Sequence, residues 1–540
     1  MTHTESQDIE QATTSIAPSS SQPDDKTRRY DRQLRIWAAS GQAALEASRI
    51  LLVSSSATST SILKNLVLPG IGHFSILDNT VTSPADAGNN FFLNARESIG
   101  KPRAQEAVPL LRELNESVQG EAVLKDVKEL LSTDQGKDWL SGFSIVIAHN
   151  LDKATLEQLS ALLWSNPNGP PLITVRSAGF LAEFHIQYHE HCVSQSHSET
   201  APSLRITRPF PALLDWARTL DLPNMDPTAH GHIPFVVILV RLVDEWRKNH
   251  DGNLPKTAAE KKEFKQQILA LKIKPDEENF DEAEAQAWRV WSEPAIPSDV
   301  QSLFSLSPLP SASDSSVPAK HTTFHALLDT LADFTKDPSG PGTLPLSATL
   351  PDMKSDTESY VKLQNLYRQW AEVEKTNFKE LFAKEHPEFA QTANPEEVDT
   401  FVKNSHHLRV LRGKRWGAFD QDREALANSF VMSPKETATH LGLSALTNLL
   451  AKGSDASKVT ADALRAEVVS IVGENVDLPE EVDSAVGEIA RAPTADIPNM
   501  AAFLGGLVAQ EAIKMITEQY VPLNGYCVVD LVDSWTGVVG

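Results

Sequence analysis

Apolar positions along the 540-residue chain change their spacing from one stretch to the next. Between Arg28 and Arg176, short aliphatic runs alternate with segments of helical period. Ile50-Leu-Leu-Val53, His73–Asp78, Phe143–Ala148 and Leu172–Val175 read as buried strands. Ser61–Leu68, Pro102–Leu114 and Leu156–Trp164 read as helices, with Pro102 suited to a first turn. That alternation predicts βαβ units on a parallel sheet. From Leu204 to Glu488 helical spacing dominates, broken by loops rich in Pro, Ser and Gly at 305–320 and 336–349. In the clearest of these helices, Ser355–Glu358 fits a capping box, and Tyr360, Leu363, Leu366, Tyr367 and Trp370 follow on one face. The α/β character returns with an apolar helix over Met500–Thr517, an Asn524-Gly525 turn and a strand at Tyr526–Asp530.

Composition narrows the class. The chain is longer than one core usually fills, and 41% hydrophobic residues support real cores. A formal charge of −23 argues against nucleic acid or an anionic membrane as partner. Two cysteines exclude a disulfide scaffold and any four-thiolate metal site. Residues 1–27 are polar and read as a disordered tail without signal-peptide character. The longest apolar run, Ile233–Val240, falls far short of the ~20 residues of a membrane span. A soluble, intracellular chain is expected, in cytoplasm and nucleus.

A nucleotide-binding α/β domain places glycines after its first strand, so that backbone N–H groups approach phosphates at the next helix. Here Ser54-Ser-Ser-Ala-Thr-Ser-Thr60 carries no glycine, and side chains fill the space phosphates need. Asp78, at the end of the second strand, stands where a ribose-binding acid belongs and is equally readable as a turn residue. The plan is that of a nucleotide fold with its phosphate loop removed.

Tyr30-Asp-Arg-Gln33, Leu63–Gly72, Ile99-Gly-Lys101 and Ala509–Lys514 resemble the adenylation domains of enzymes that activate ubiquitin-like proteins. Ala87–Leu93, Leu350–Met353, Tyr360–Arg368 and Ala501–Gly506 extend the resemblance over nearly the whole chain, which is most similar to the regulatory halves of the neddylation-activating heterodimer. The small subunit of the SUMO-activating enzyme shares part of the pattern and is the alternative. The resemblance implies a Rossmann-like, ThiF/MoeB-type pseudo-adenylation domain split by a large helical insertion. Its expected boundaries are 28–176, 177–490 for an insertion of the catalytic-cysteine type without the reactive Cys, and 491–540. It implies a degenerate nucleotide site near Ser54, Asp78, Asn89 and Lys101, with Asn89 standing where active halves carry an arginine. Asp152 matches the position of a magnesium-associated aspartate. No cofactor or metal is then expected on this chain; ATP and Mg2+ belong to a catalytic partner subunit, and a ubiquitin-like modifier is the shared substrate. Arg32 would cross the dimer interface to the partner's ATP; read from the sequence alone, it is an ordinary ion-paired helix arginine. Asp352, Met353, Tyr360, Lys362 and Asn365 are the expected partner-contacting segment.

Cys527 reads as a core residue, whereas Cys192 sits among His185, His189, His191 and His197 in what reads as a polar surface loop, with a metal site as the lesser reading. The family places the reactive cysteine on the partner. Arg409, Arg412, Lys414 and Arg415 read as a solvated helix face or a contact for an acidic partner. Two rival functions stay open: a self-sufficient adenylating enzyme or dehydrogenase, against which the missing glycines count, and a scaffold that differs only at Arg32.

Overall fold

The computed structural model describes residues 24–197, 203–306, 318–337, 340–474 and 476–540. Most of the expected N-terminal tail lies outside the described residues, and Asp24 already caps the first helix by accepting from the Thr27 N–H. The chain divides into two compact units, one of residues 1–193, 314–320 and 410–540, the other of 194–313 and 321–409.

The first unit is built on an eight-stranded sheet of order β10-β9-β6-β5-β4-β1-β2-β3. Helix α1 (Asp25–Ala47) is broken at Trp37–Ala38, where Ala38 takes φ +57°. β1 (Arg49–Val53) leads into α2 (Ala57–Val67), then β2 (His73–Leu77) and α3 (Arg103–Arg112). β3 (Gln119–Val123), β4 (Ile145–His149), α4 (Lys153–Trp164) and β5 (Leu172–Ala178) complete the parallel part. β6 (Leu181–Gln187) returns antiparallel to β5, and β9 (Tyr526–Asp530) and β10 (Trp535–Val539) continue antiparallel beyond it. β7 (Glu190–Val193) and β8 (Arg409–Arg412) form a separate two-stranded ribbon.

Alternate residues of the strands enter opposite cores, which is why Ile50-Leu-Leu-Val53 is apolar throughout. Ile50, Leu52, Ile145 and Ile147 pack with Ile62, Leu66, Leu111, Leu504 and Val508. Leu51, Val53, Val146 and Ala148 pack with Leu159, Leu441, Val468 and Val486. Helices thus cover both faces, as a parallel sheet requires.

The second unit is helical. Its core holds α5 (Phe235–Asn249), apolar over most of its surface, together with Leu363 and Tyr367 of α6 (Thr357–Glu385). The N-cap of α6 is Asp356, which accepts from Ser359 N, not the Ser355 of the expected capping box. Arg205 and Glu374 form a buried ion pair here, 3.0 Å apart. Glu374 also accepts from Leu346 N at 2.8 Å and Trp370 Nε1 at 2.9 Å.

The expected divisions at 176 and 490 differ from those of the structure. β6 and β7 belong to the α/β unit because β6 pairs with both β5 and β9. So do residues 410–490: α7 (Pro434–Ala451) and the helices Ala461–Val472 and Glu480–Arg491 bury their apolar faces against the sheet. Helical periodicity alone does not say which neighbour a helix covers. Among the described residues, one helix is long and apolar enough to span a bilayer, α8 (Pro498–Thr517). Its Met500, Leu504, Val508, Ala512 and Met515 sit in the sheet core, so its hydropathy is that of a core helix.

Candidate functional site

The turn from β1 to α2 is where the fold would hold phosphates. Ser54 keeps φ +92°, a conformation that glycine adopts freely and serine does not. The glycine backbone therefore survives without the glycine. Ser56 caps α2, its Oγ accepting from Ser59 N at 3.1 Å. The same hydroxyl lies 2.7 Å from His149 Nδ1, and His149 Nε2 lies 2.9 Å from Ser177 Oγ. Burial lowers the His149 pKa, which favours the neutral ring.

A second amide of the helix end is also taken. Thr58 N donates to Asp496 Oδ2 at 3.2 Å, and Thr58 Oγ1 donates to Asp496 Oδ1 at 2.6 Å. A carboxylate from the connector before α8 thus occupies the helix N-terminus in the manner of a phosphate. Thr58 and Ser59 are fully buried beneath it.

Asp78 is equally committed. Its Oδ2 accepts from Ser55 N at 2.7 Å and from Arg103 Nη2 at 2.8 Å, and its Oδ1 accepts from Thr80 N and Oγ1. Arg103 also reaches Asp86 at 3.0 Å. Burial pulls the Arg103 pKa down, but the two carboxylates outweigh it and raise it. No oxygen of Asp78 is left for a ribose.

The other expected site residues are dispersed. Lys101 is exposed and pairs with Glu106 at 3.6 Å, leaving Arg103 as the cation beside Asp78. Asn89 ends the short helix Pro84–Asn89; the neighbouring Asn90 enters the cradle instead, accepting from Thr60 Oγ1 at 2.9 Å and donating to Ser55 O at 3.3 Å. Asp152 is the N-cap of α4, holding Thr155 N and Oγ1, with Lys128 Nζ at 3.1 Å. The residues present do not fit ATP. The sequence reading missed Asp496, Arg103, Asn90 and His149. Asp496 stands 438 positions from Thr58, so only its place just ahead of an apolar helix hinted at it.

Arg32 projects from α1 exposed, and among the described residues it has no ion pair or side-chain hydrogen bond, unlike Arg28 and Arg35, which pair with Asp25 and Asp31. In the helical unit, Asp352, Lys362 and Asn365 are exposed, Tyr360 is half-buried and Met353 packs against the core. Lys362 Nζ lies 4.3 Å from the centre of the Trp216 ring.

Cys192 is not in a surface loop: it is a buried residue of β7, and burial, with Glu190 beside it, pushes its thiol pKa well up. Cys527 is buried in β9, with its pKa pushed up to about 12 by burial. Neither has the exposed, electropositive setting of a nucleophile. His185 and His189 are turned to other partners, His185 stacking on Tyr526 at 4.4 Å and His189 on Trp164 at 3.8 Å. Arg409, Arg412 and their neighbours lie on β8 and the segment after it, not on a helix.

A doubly wound sheet with helices on both faces, whose β1–α2 turn is held by its own serine and aspartate, defines an adenylation-type domain. Residues 30–534 match the ThiF family. The NEDD8-activating enzyme E1 regulatory subunit of Xenopus laevis is 33% identical over 522 residues, covering 92% of this chain and 96% of that protein. The Danio rerio protein of the same name is 33% identical over 523 residues, with 92% and 96% covered. The regulatory subunit AXL of Arabidopsis thaliana is 31% identical over 533 residues, with 94% and 97% covered. The chain belongs to the ThiF family and, within it, to the NEDD8-activating enzyme E1 regulatory subunits.

Proposed function

We propose that this chain is the regulatory, non-ATP-binding half of a NEDD8-activating enzyme. It works in cytoplasm and nucleus as a heterodimer with a catalytic subunit that holds ATP, Mg2+ and the reactive cysteine. The observation that carries the reading is the closed cradle: Asp496 sits on the α2 N-terminus and Asp78 is saturated, so a domain of adenylating plan has no place for nucleotide. The names of the relatives supply the modifier and the pathway. The chain's own contribution is Arg32. A guanidinium without a partner among the described residues is available to an anion elsewhere. Delivered to the partner's ATP, it would offset charge that develops as the modifier's C-terminal carboxylate attacks the α-phosphate. The exposed Asp352, Lys362 and Asn365, with Met353 and Tyr360, form the proposed contact segment.

The test is ATP–pyrophosphate exchange by the separate chain and by the reconstituted heterodimer. Exchange requires both chains, and Arg32→Ala lowers it about tenfold or more while the heterodimer still co-elutes. Exchange by the chain alone would overturn the inactive-half reading; an unchanged rate in the variant would leave the chain a scaffold.

A further inference from the structure

Helix α1 folds back on itself. Lys26 Nζ reaches Glu46 Oε2 at 2.7 Å across 20 positions of sequence, which an uninterrupted helix would set about 30 Å apart. The chain reverses at Trp37–Ala38, so the half that bears Arg32, residues 25–36, returns along residues 39–47. Ala38 has φ +57° and ψ −176° there, close to a region that only glycine populates freely. Its side chain is exposed and gains nothing from burial in return. A residue in that conformation persists only where its surroundings impose it.

The surroundings are polar and specific. Gln519 Nε2 donates to the Trp37 carbonyl, the peptide group that leads into Ala38, at 2.8 Å. Gln519 is buried, and both of its neighbours have left-handed backbone, Glu518 at φ +53° and Tyr520 at φ +60°. Strain on each side thus meets at one hydrogen bond. Trp37 Nε1 donates to Gln42 Oε1 at 3.2 Å, and Gln42 Nε2 donates to Pro69 O at 3.1 Å. Gly41 leaves room for the indole, since a Cβ there would lie 2.9 Å from Trp37 Cδ1. A cleft of about 330 Å3, lined by Ile36, Trp37 and the Ala509 and Ile513 side chains of α8, leaves the end of this half-helix incompletely packed. Further back, buried Tyr30 accepts from Asn115 Nδ2 at 2.9 Å. Arg32 projects between these two anchors.

We propose that Gln519 is a positioning residue for Arg32. Its bond to the Trp37 carbonyl holds the reversal at Ala38 and so fixes the direction in which residues 25–36 present the guanidinium. The proposal rests on the reading of Arg32 given above. A bond that sustains strained backbone on both sides selects one orientation of the half-helix, where the cleft beside Ile36 would otherwise permit several.

The reconstituted heterodimer provides the test. Gln519→Leu keeps the bulk of the side chain and removes the donor. It lowers the maximal rate of ATP–pyrophosphate exchange about fivefold, leaves the KM for the modifier unchanged, and causes no further loss in an Arg32→Ala background. The Tyr30–Ile36 amides exchange hydrogen about fivefold faster, because a helix of about twelve residues is marginal once undocked. Ala38→Gly, which removes the strain the bond works against, restores both rate and protection in the Gln519→Leu chain. Gly41→Ala, which drives a methyl into Trp37, reproduces the loss and stands in should Gln519→Leu not fold. A wild-type rate in the folded variants, or an equal fractional loss with and without Arg32, would overturn the proposal. An unchanged rate in Arg32→Ala alone would instead overturn the reading of Arg32, and the positioning role with it.

Discussion

Asp496→Ala isolates the internal anion of the cradle. The carboxylate makes two hydrogen bonds to Thr58, at 2.6 Å to its hydroxyl and 3.2 Å to its N–H. Thr58 is fully buried, so removing its acceptor strands a donor at about 1–3 kcal/mol. Loss of a negative charge at a helix N-terminus adds about 0.3–1 kcal/mol. Together the change destabilises the start of α2 by about 1.3–4 kcal/mol, or about 10- to 900-fold in opening equilibrium. Hydrogen exchange of the Thr58–Ile62 amides reads this directly. Thr58→Ala closes a double-mutant cycle in which the paired changes couple by about 1–2 kcal/mol. Additivity within about 0.5 kcal/mol would refute the claim that the carboxylate acts on the helix end through Thr58. The same variant also tests the cradle as a whole. Asp78 remains saturated and Ser54–Ser56 keep their side chains, so the variant gains no ATP binding; recovered binding would show that Asp496 alone closes the site.

The buried cluster Arg176–Glu183–His440–Asp420 sets a pH window. Burial alone would lower the His440 pKa, but Glu183 at 2.8 Å and Asp420 at 2.6 Å raise it from 6.5 to about 9. Burial would likewise raise the Asp420 pKa, and His440 and Arg176 instead bring it down from 3.8 to about 2. The unfolded chain follows the ordinary values. The cluster's stabilisation, of order 3 kcal/mol, is therefore complete between about pH 4 and 6.5. It is lost as pH rises through about 9 or falls through about 2; urea midpoints of the α/β unit across pH check this, and His440→Gln should flatten the alkaline limb. Glu374→Ala leaves Arg205 buried without its carboxylate and lowers the stability of the helical unit by about 3–5 kcal/mol, read from its urea transition. Iodoacetamide at pH 8 should modify neither Cys192 nor Cys527 until denaturant is added, and mass spectrometry of the native chain would expose any rapid alkylation.

The strands that stood out in the sequence, β1, β2, β4, β5 and β9, are short runs dominated by buried apolar residues. β6 was hidden by its own chemistry. Leu-Ala-Glu-Phe-His-Ile-Gln is buried throughout, yet Glu183 and Gln187 are polar because they bond Arg176, His440 and Ser160. β3 was hidden for the opposite reason, since Gln-Gly-Glu-Ala-Val lies at the sheet edge and is partly exposed. The absent glycines were plain at Ser54–Thr60, but what replaced them was not. Asp496 is brought to Thr58 by the return of the chain from an insertion hundreds of residues long, and no local pattern records such a contact. Arg32 was legible only through resemblance; its lack of a partner among the described residues became visible in three dimensions.

Removing glycines does not by itself retire a phosphate site. The first amides of α2 would still point outward unpaired, and a helix N-terminus attracts whatever anion can reach it. Burying that end without a partner would destabilise the β1–α2 turn, so losing the nucleotide requires a substitute acceptor. Ser56 supplies one oxygen and Asp496 supplies a charged pair. Nucleotide and carboxylate compete for the same donors, and the carboxylate is tethered, always present at high effective concentration. With Arg103 likewise committed to Asp78 and Asp86, both ends of the former nucleotide site are cross-linked by the chain's own charges. Restoring glycine at Ser54 would relax the backbone without freeing any of these groups.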